Sequence, residues 1–168
     1  MTRANTKIGD IFEVKISDTH KKYFQYIISD LTQLNSDVIR AFKKSYPIES
    51  IPELAEIIND EVDFYAHCVT KWGITLGLWE KVGNSKNVGP TDQILFRGTS
   101  DYGIKEGDEL VKISNNWHIW HINDEYFTDV GKLQGKNRNA EIGVVINPYD
   151  IVERIKTGKY KFFYPGFK

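Results

Sequence analysis

The first part of the chain alternates between apolar and polar residues. Alternation with a period of two is typical of a strand that buries one face, so the pattern predicts two strands near the start of the chain. An apolar run at residues 38–42 predicts a third. The alternating apolar positions are Phe12, Val14 and Ile16 in the first strand and Phe24, Tyr26 and Ile28 in the second.

The middle and the end of the chain continue this β pattern. Phe64, Ala66 and Cys68 alternate with more polar neighbours and predict a strand over residues 62–68. Shorter apolar runs, bounded by residues that favour turns, predict strands at 95–97, 110–113, 117–122, 142–146 and 159–164. The glycine-rich and asparagine-rich segment 83–92 predicts a long loop.

Two segments carry the signals of helix ends. Ser50 and Glu53 have the spacing of a capping box, and the apolar positions that follow predict a helix over residues 51–59. Asn147 before Pro148 predicts a second helix start, because Asn caps well and Pro tolerates the first helical position. Gly158 is well placed to end that helix.

Two helices among many short strands in mixed order predict an α+β fold. We expect a strongly curved, mainly antiparallel sheet or a small β-barrel with about two helices. A chain of 168 residues suits one domain, so we assign residues 1–168 to a single domain.

The composition predicts an ordinary globular protein. Hydrophobic residues make up 40% of the chain, charged residues 27%, and the mean hydropathy is −0.42. Residues 1–7 are polar and lack the apolar stretch of a secretory signal, and Cys68 is the single cysteine. These features predict a cytoplasmic protein with no membrane partner.

The charge is close to neutral overall but unevenly distributed. The net charge of −1 argues against a general polyanion binder, since nonspecific nucleic-acid affinity needs many basic residues. Residues 101–129 contain seven acids and two bases, a net charge of −5, whereas residues 130–168 carry +5. The acidic segment is therefore the candidate surface for a basic partner.

The sequence predicts neither a metal site nor a cofactor. His118 and His121 lie in a segment predicted to be a strand, where positions three apart face opposite sides, so one ion could not bind both. The glycines lack the spacing of dinucleotide-binding and phosphate-binding loops.

Three functional classes remain open at this stage. We expect Cys68 to be a buried, inert thiol, because it shares the apolar face of Phe64 and Ala66. An enzyme that uses Cys68 and His67, as a small cytoplasmic hydrolase or transferase, is the first alternative to a binding protein. A single-stranded nucleic-acid-binding barrel is the second, because 13% of the residues are aromatic and aromatic side chains can stack on bases.

Several short blocks of the chain resemble the immunity protein 26 family, whose members are immunity proteins of bacterial polymorphic-toxin systems. The resemblance spans most of the chain but rests chiefly on packing and turn residues. The blocks are residues 8–12 and 72–83, the pair Trp117 and Trp120, and the pairs Asn147-Pro148, Ile151-Val152 and Arg154-Ile155.

This resemblance implies a small protein that binds a cognate toxin and blocks it by steric and electrostatic means, without catalysis. The expected partner is a toxin, such as a nuclease with a basic active site, and not nucleic acid itself. Opposite charge would speed the encounter and disfavour wrong partners. The residues expected to contact the partner are Asp101, Glu106, Asp108, Glu109, Trp120, Asp124 and Glu125.

Overall fold

The computed structural model describes residues 4–103, 107 and 109–168. In these residues the chain forms an α+β fold with three helices, a seven-stranded sheet and a four-stranded sheet. The strands are β1 (Asp10–Lys15), β2 (His20–Asp30), β3 (Ser36–Phe42), β4 (Tyr46–Pro47), β5 (Val62–Cys68), β6 (Glu80–Asn84), β7 (Leu95–Thr99), β8 (Trp117–His121), β9 (Thr128–Gly131), β10 (Glu141–Ile142) and β11 (Val145–Ile146). The helices are α1 (Leu54–Ile58), α2 (Thr70–Thr75) and α3 (Pro148–Thr157).

The large sheet has the strand order β11-β5-β3-β2-β1-β6, and β4 pairs separately with β2. The small sheet has the order β10-β7-β8-β9. Most pairs are antiparallel, but β11 lies parallel to β5 and β10 lies parallel to β7. Each sheet is therefore mixed but mainly antiparallel, and the described residues form two sheets where one was expected.

The expected small barrel is wrong for the described residues. The strands are divided between two sheets that pack against each other, so each sheet keeps two edge strands and neither closes. Segment 141–146 connects them, because β10 extends the small sheet and β11 extends the large one.

The large sheet is covered on both faces. On one face, Phe12 and Phe24 pack with Trp79 and with the apolar side of α3. On the other face, Ile27 and other side chains pack against the small sheet, while α1 covers the end near β4. Two covered faces explain why β1 and β2 bury more positions than the simple alternation predicts.

A β-bulge also shifts the burial pattern of β2. The register of β2 against β3 changes between Tyr26 and Ile28, so Ile28 packs beside Ile27 against the core between the sheets and not with Phe24 and Tyr26. A bulge inserts one extra residue and reverses which face the following side chains occupy. The predicted alternation of Phe24, Tyr26 and Ile28 therefore fails at its last position.

The prediction for α3 is confirmed. The Asn147 side chain accepts a hydrogen bond from the backbone N–H of Tyr149 at 2.9 Å, and Pro148 is the first helical residue. Gly158 ends the helix with a φ of 86°, a left-handed conformation that favours glycine.

The prediction of a capping box at the first helix is wrong. Helix α1 begins at Leu54 after Glu53, whose side chain makes no capping hydrogen bond within the described residues. The Ser50 hydroxyl instead donates to the carbonyl of Pro47 at 2.8 Å, so a turn engages it before the helix begins. Helix α1 spans five residues and is shorter than the predicted segment.

Helix α2 was not predicted. Its glycine, Gly73, gives the ring of Trp79 room to pack on the helix, because a Cβ at this position would lie 1.9 Å from a ring atom.

The predicted strands at 110–113 and 159–164 are wrong. Those segments form no ladder, although Ile113 bridges Gly166, and Tyr160 and Phe162 pack on the core from an irregular backbone.

Candidate functional site

The connection between β8 and β9 is a tight turn that carries two of the expected contact residues. Asn123 adopts a positive φ of 67°, and the Asp124 carboxylate accepts a hydrogen bond from the backbone N–H of His121 at 2.7 Å. The backbone N–H of Asp124 donates in return to the carbonyl of His121 at 3.0 Å. These bonds fix the direction in which the turn projects from the small sheet.

The turn between β2 and β3 holds this hairpin in place. The amide of Gln33 donates to the carbonyls of Asp124 and Glu125, both at 3.1 Å. The Asn123 side chain accepts from the backbone N–H of Leu31 at 2.7 Å. Two turns about 90 residues apart in sequence are thereby joined into one surface.

The joined turns expose apolar and acidic groups side by side. Tyr126 is 75% exposed and Leu31 is 69% exposed, and Phe127 is partly exposed. We define the hairpin surface as Leu31, Asp124, Glu125, Tyr126 and Phe127. An exposed aromatic side chain on a backbone fixed by hydrogen bonds suits protein binding, since little flexibility is lost on association.

The described acids at the two ends of the acidic segment lie apart. Thr99 pairs with Trp117 and Leu95 pairs with His121, so β7 and β8 run antiparallel. Asp101 follows the end of β7 near Trp117, whereas Asp124 follows the opposite end of β8. The structure therefore separates these two predicted contact residues.

The remaining predicted acids divide between the described and the undescribed parts of the chain. Asp101 accepts hydrogen bonds from the Ser114 hydroxyl at 2.6 Å and from the Asn116 amide at 3.2 Å, so it organises the connection that precedes β8. Glu109 lies exposed in the same connection. Glu106 and Asp108 lie outside the described residues.

Trp120 lies beneath the hairpin surface. It is 1% exposed, and its indole N–H donates to Asp30 at 3.1 Å. Its ring centre lies 4.9 Å from that of Phe127. Trp120 therefore supports the hairpin surface from below and is not available to a partner in this structure.

A buried carboxylate–histidine pair lies next to Trp120. His67 Nε2 lies 2.8 Å from Asp30 Oδ2, and both side chains are fully buried. Burial opposes the charge of Asp30, but the hydrogen bonds from His67 and Trp120 outweigh it and lower the pKa of Asp30 from 3.8 to about 2. His67 Nδ1 has no hydrogen-bond partner in the described part of the chain.

The two residues of the enzyme alternative face opposite sides of β5. Cys68 is fully buried, which confirms that prediction, and burial raises the pKa of its thiol. It packs in the core with Phe64, whereas His67 faces Phe96 of the small sheet at a ring distance of 4.1 Å. Neither side chain is accessible to a substrate in this structure.

The described residues contain neither a group of metal ligands nor a membrane-spanning helix. No three His, Cys, Asp or Glu side chains there are grouped so that they could hold a metal ion. No helix in the same residues is both long and apolar enough to cross a membrane.

Comparison of the chain with models of protein families, with curated proteins and with solved structures gives no match. The resemblance to the immunity protein 26 family therefore stays a prediction that rests on its short motifs.

Sequence reasoning missed Leu31, Gln33 and Tyr126. A local signal existed for Tyr126, because two adjacent aromatic residues follow two acids in a segment that leaves a strand. Leu31 and Gln33 gave no such signal, because their role depends on contacts with a turn that is distant in sequence.

Proposed function

We propose that this protein is an immunity protein that binds a cognate bacterial toxin through the hairpin surface. The observation that carries the proposal is that Tyr126 and Leu31 are exposed on two turns that hydrogen bonds from the Gln33 amide hold together. Binding through such a surface requires no active site. The acids Asp124 and Glu125 give it the charge that a basic partner would complement.

The expected partner is a toxin with a basic binding face, such as a nuclease. An enzyme that binds a polyanion concentrates Lys and Arg around its active site, so an acidic surface can dock there and exclude the substrate. Tyr is among the residues that contribute most to protein interfaces, because it buries a large area with few rotatable bonds. In this proposal Tyr126 is the anchor and Glu125 directs the encounter.

The same observations support this proposal over its two rivals. Cys68 and His67 are both inaccessible, whereas Leu31, Glu125, Tyr126 and Phe127 are exposed and Asp124 is partly exposed. The exposed Tyr126 and Phe127 follow Asp124 and Glu125, whose charges would repel the phosphates of a single-stranded nucleic acid.

Co-expression with the toxin encoded by the adjacent gene tests the proposal. Growth of a bacterial host is measured with the toxin alone, with the wild-type protein, and with Tyr126→Ala or Glu125→Lys. We expect Tyr126→Ala to weaken binding by about tenfold or more, mainly through faster dissociation. We expect Glu125→Lys to slow association, with an effect that fades as salt is added.

Matched controls separate the surface from the general effect of each substitution. Tyr149→Ala removes another exposed tyrosine, and Glu49→Lys reverses another exposed acid, both outside the hairpin surface. We expect both controls to bind and protect as the wild type does. No protection by the wild-type protein would contradict the immunity function, whereas undiminished binding by both hairpin variants would contradict only this surface.

A further inference from the structure

A second candidate site is a cleft of about 320 Å³ that is lined by residues of β7, β10, α3 and segment 158–164. This volume is at the lower end of the range for small-molecule sites. We define the arginine cleft by the charged and aromatic side chains that line it. They are Arg97, Glu141, Arg154, Lys159, Tyr160, Phe162 and Tyr164.

Arg97 is a partly buried cation without an ion-pair partner in the described residues. Its guanidinium carbon lies 5.5 Å from the ring centre of Trp117 and 5.1 Å from that of Phe167. One terminal nitrogen donates to the carbonyl of Ala140, but the buried Nε–H has no acceptor among the described residues. Burial lowers the pKa of Arg97, because a charge removed from water is poorly solvated.

Arg154 differs from Arg97 because it has a carboxylate partner. It pairs with Glu141 at 3.2 Å, and its guanidinium carbon lies 4.8 Å from the ring centre of Tyr160. Glu141 also accepts a hydrogen bond from the backbone N–H of Tyr65, so its oxygens are already engaged. Glu141 therefore forms its ion pair with Arg154, whereas Arg97 has no ion pair in the described residues and interacts with Glu141 only at longer range.

The walls of the cleft add further basic and aromatic groups. Lys159 is exposed at the rim and brings a third positive charge. Tyr160 and Phe162 stack with their ring centres 4.9 Å apart and form an aromatic wall. Burial raises the pKa of Tyr160 and of Tyr164 to about 12, so both hydroxyls are neutral and able to donate hydrogen bonds.

We propose that the arginine cleft binds a small organic anion, in which a phosphate or carboxylate group is joined to a planar apolar body. The anionic group would neutralise Arg97 and accept from its planar fork of N–H groups, which suits both kinds of anion. The planar body would pack on the Tyr160 and Phe162 rings. This site does not depend on the proposed toxin binding, since it uses none of the residues of the hairpin surface.

Binding of model anions to the isolated protein tests the proposal. Phenyl phosphate and benzoate present the two anionic groups on the same ring, and benzyl alcohol is the neutral control. Calorimetry gives the affinities, and the NMR signal of the buried Arg97 Nε–H reports binding at the cleft itself. We expect both the binding and the shift of this signal with at least one anion, and neither with benzyl alcohol. The stronger of the two anions identifies the preferred group.

Charge reversal at the rim provides the sharpest comparison. Lys159→Glu is expected to weaken binding of the preferred anion by about tenfold, because a charge-assisted contact is replaced by repulsion. Lys132→Glu makes the same charge change at an exposed position outside the cleft and is expected to bind as the wild type does. Arg97→Lys keeps the charge but loses the planar fork, and it is also expected to bind more weakly, with its fold checked by circular dichroism.

Two results would overturn the proposal. The first is no binding of either anion at millimolar concentration. The second is equal weakening by Lys159→Glu and Lys132→Glu, because that would indicate attraction to the overall charge of the protein and no specific site. Lys159→Glu decides the outcome even if Arg97→Lys does not fold, since Lys159 is exposed.

Discussion

Asp30 connects the two sheets, and its replacement by asparagine is expected to destabilise the protein. One carboxylate oxygen accepts from His67 Nε2 at 2.8 Å and from Trp120 Nε1 at 3.1 Å. The other oxygen accepts from the backbone N–H of Asn123 at 3.3 Å. Asp30→Asn keeps the shape of the side chain but turns an N–H₂ group toward at least one of these donors.

Two independent arguments give a similar loss in the free energy of unfolding for Asp30→Asn. The amide keeps one acceptor oxygen, so at least one buried donor loses its partner, at a cost of about 1–3 kcal/mol. The pKa of Asp30 falls from 3.8 to about 2 on folding, because hydrogen bonds from His67 and Trp120 outweigh the effect of burial. That difference corresponds to about 2 kcal/mol of stabilisation by the ionised form. We therefore expect a loss of about 2 kcal/mol in the free energy of unfolding at neutral pH.

Urea denaturation followed by circular dichroism measures this loss, with Asp18→Asn as an exposed control. The pKa of Asp30 is lower in the folded state, so the stabilisation is complete above about pH 4 and is lost as the pH falls toward about 2. The difference between the wild type and Asp30→Asn should shrink by about 1 kcal/mol between about pH 5 and about pH 3. A loss under about 0.5 kcal/mol at neutral pH, or a loss that does not depend on pH, would refute this reasoning.

Three further predictions concern stability and reactivity. Gly73→Ala should lower the free energy of unfolding by about 1–3 kcal/mol, measured by urea denaturation, because the new methyl group would overlap the Trp79 ring; an unchanged midpoint would contradict this packing. Ser50→Ala should change stability by less than about 0.5 kcal/mol, because its hydroxyl bonds only to the Pro47 carbonyl in the described structure and caps no helix. Cys68 should react with iodoacetamide only as fast as the protein opens, and a rate equal to that of a free thiol would show that it is accessible.

The sequence predicted elements whose signals are local. Helix α3 has its cap residue Asn147, its first-turn Pro148 and its terminal Gly158 within twelve positions, and each acts on the backbone next to it. Strand β5 was predicted from a clean alternation of apolar positions, including the buried Cys68. These elements need no knowledge of distant contacts.

Elements that depend on distant contacts were not predictable. The sequence predicted one strand at 142–146, but segment 141–146 forms β10 and β11, of two residues each, because one end lies beside β7 and the other beside β5. Residues 159–164 have the alternation of a strand, but their side chains pack on the core without a neighbouring strand to pair with. Alternation shows that one face is buried, but it does not supply the hydrogen-bonding partner.

The candidate site shows the same division. Asp124 and Glu125 were identified from charge alone, and both lie on the hairpin surface. Charge could not reveal that Asp101 follows the opposite end of the small sheet, because that depends on the antiparallel pairing of β7 and β8. It could not place Trp120 either, since the burial of that ring results from packing between the two sheets.

The two proposed sites lie on different parts of the small sheet, so one substitution can weaken binding at one site and leave binding at the other unchanged. Trp120 and Asp30 support the hairpin surface from the side that faces the large sheet. Arg97 pairs with Ile119, and successive residues of a strand face opposite sides, so its side chain lies away from Trp120. Asp30→Asn should therefore loosen the hairpin and weaken toxin binding while leaving anion binding unchanged. Equal loss at both sites would mean that the small sheet responds as one unit and that the sites are coupled through it.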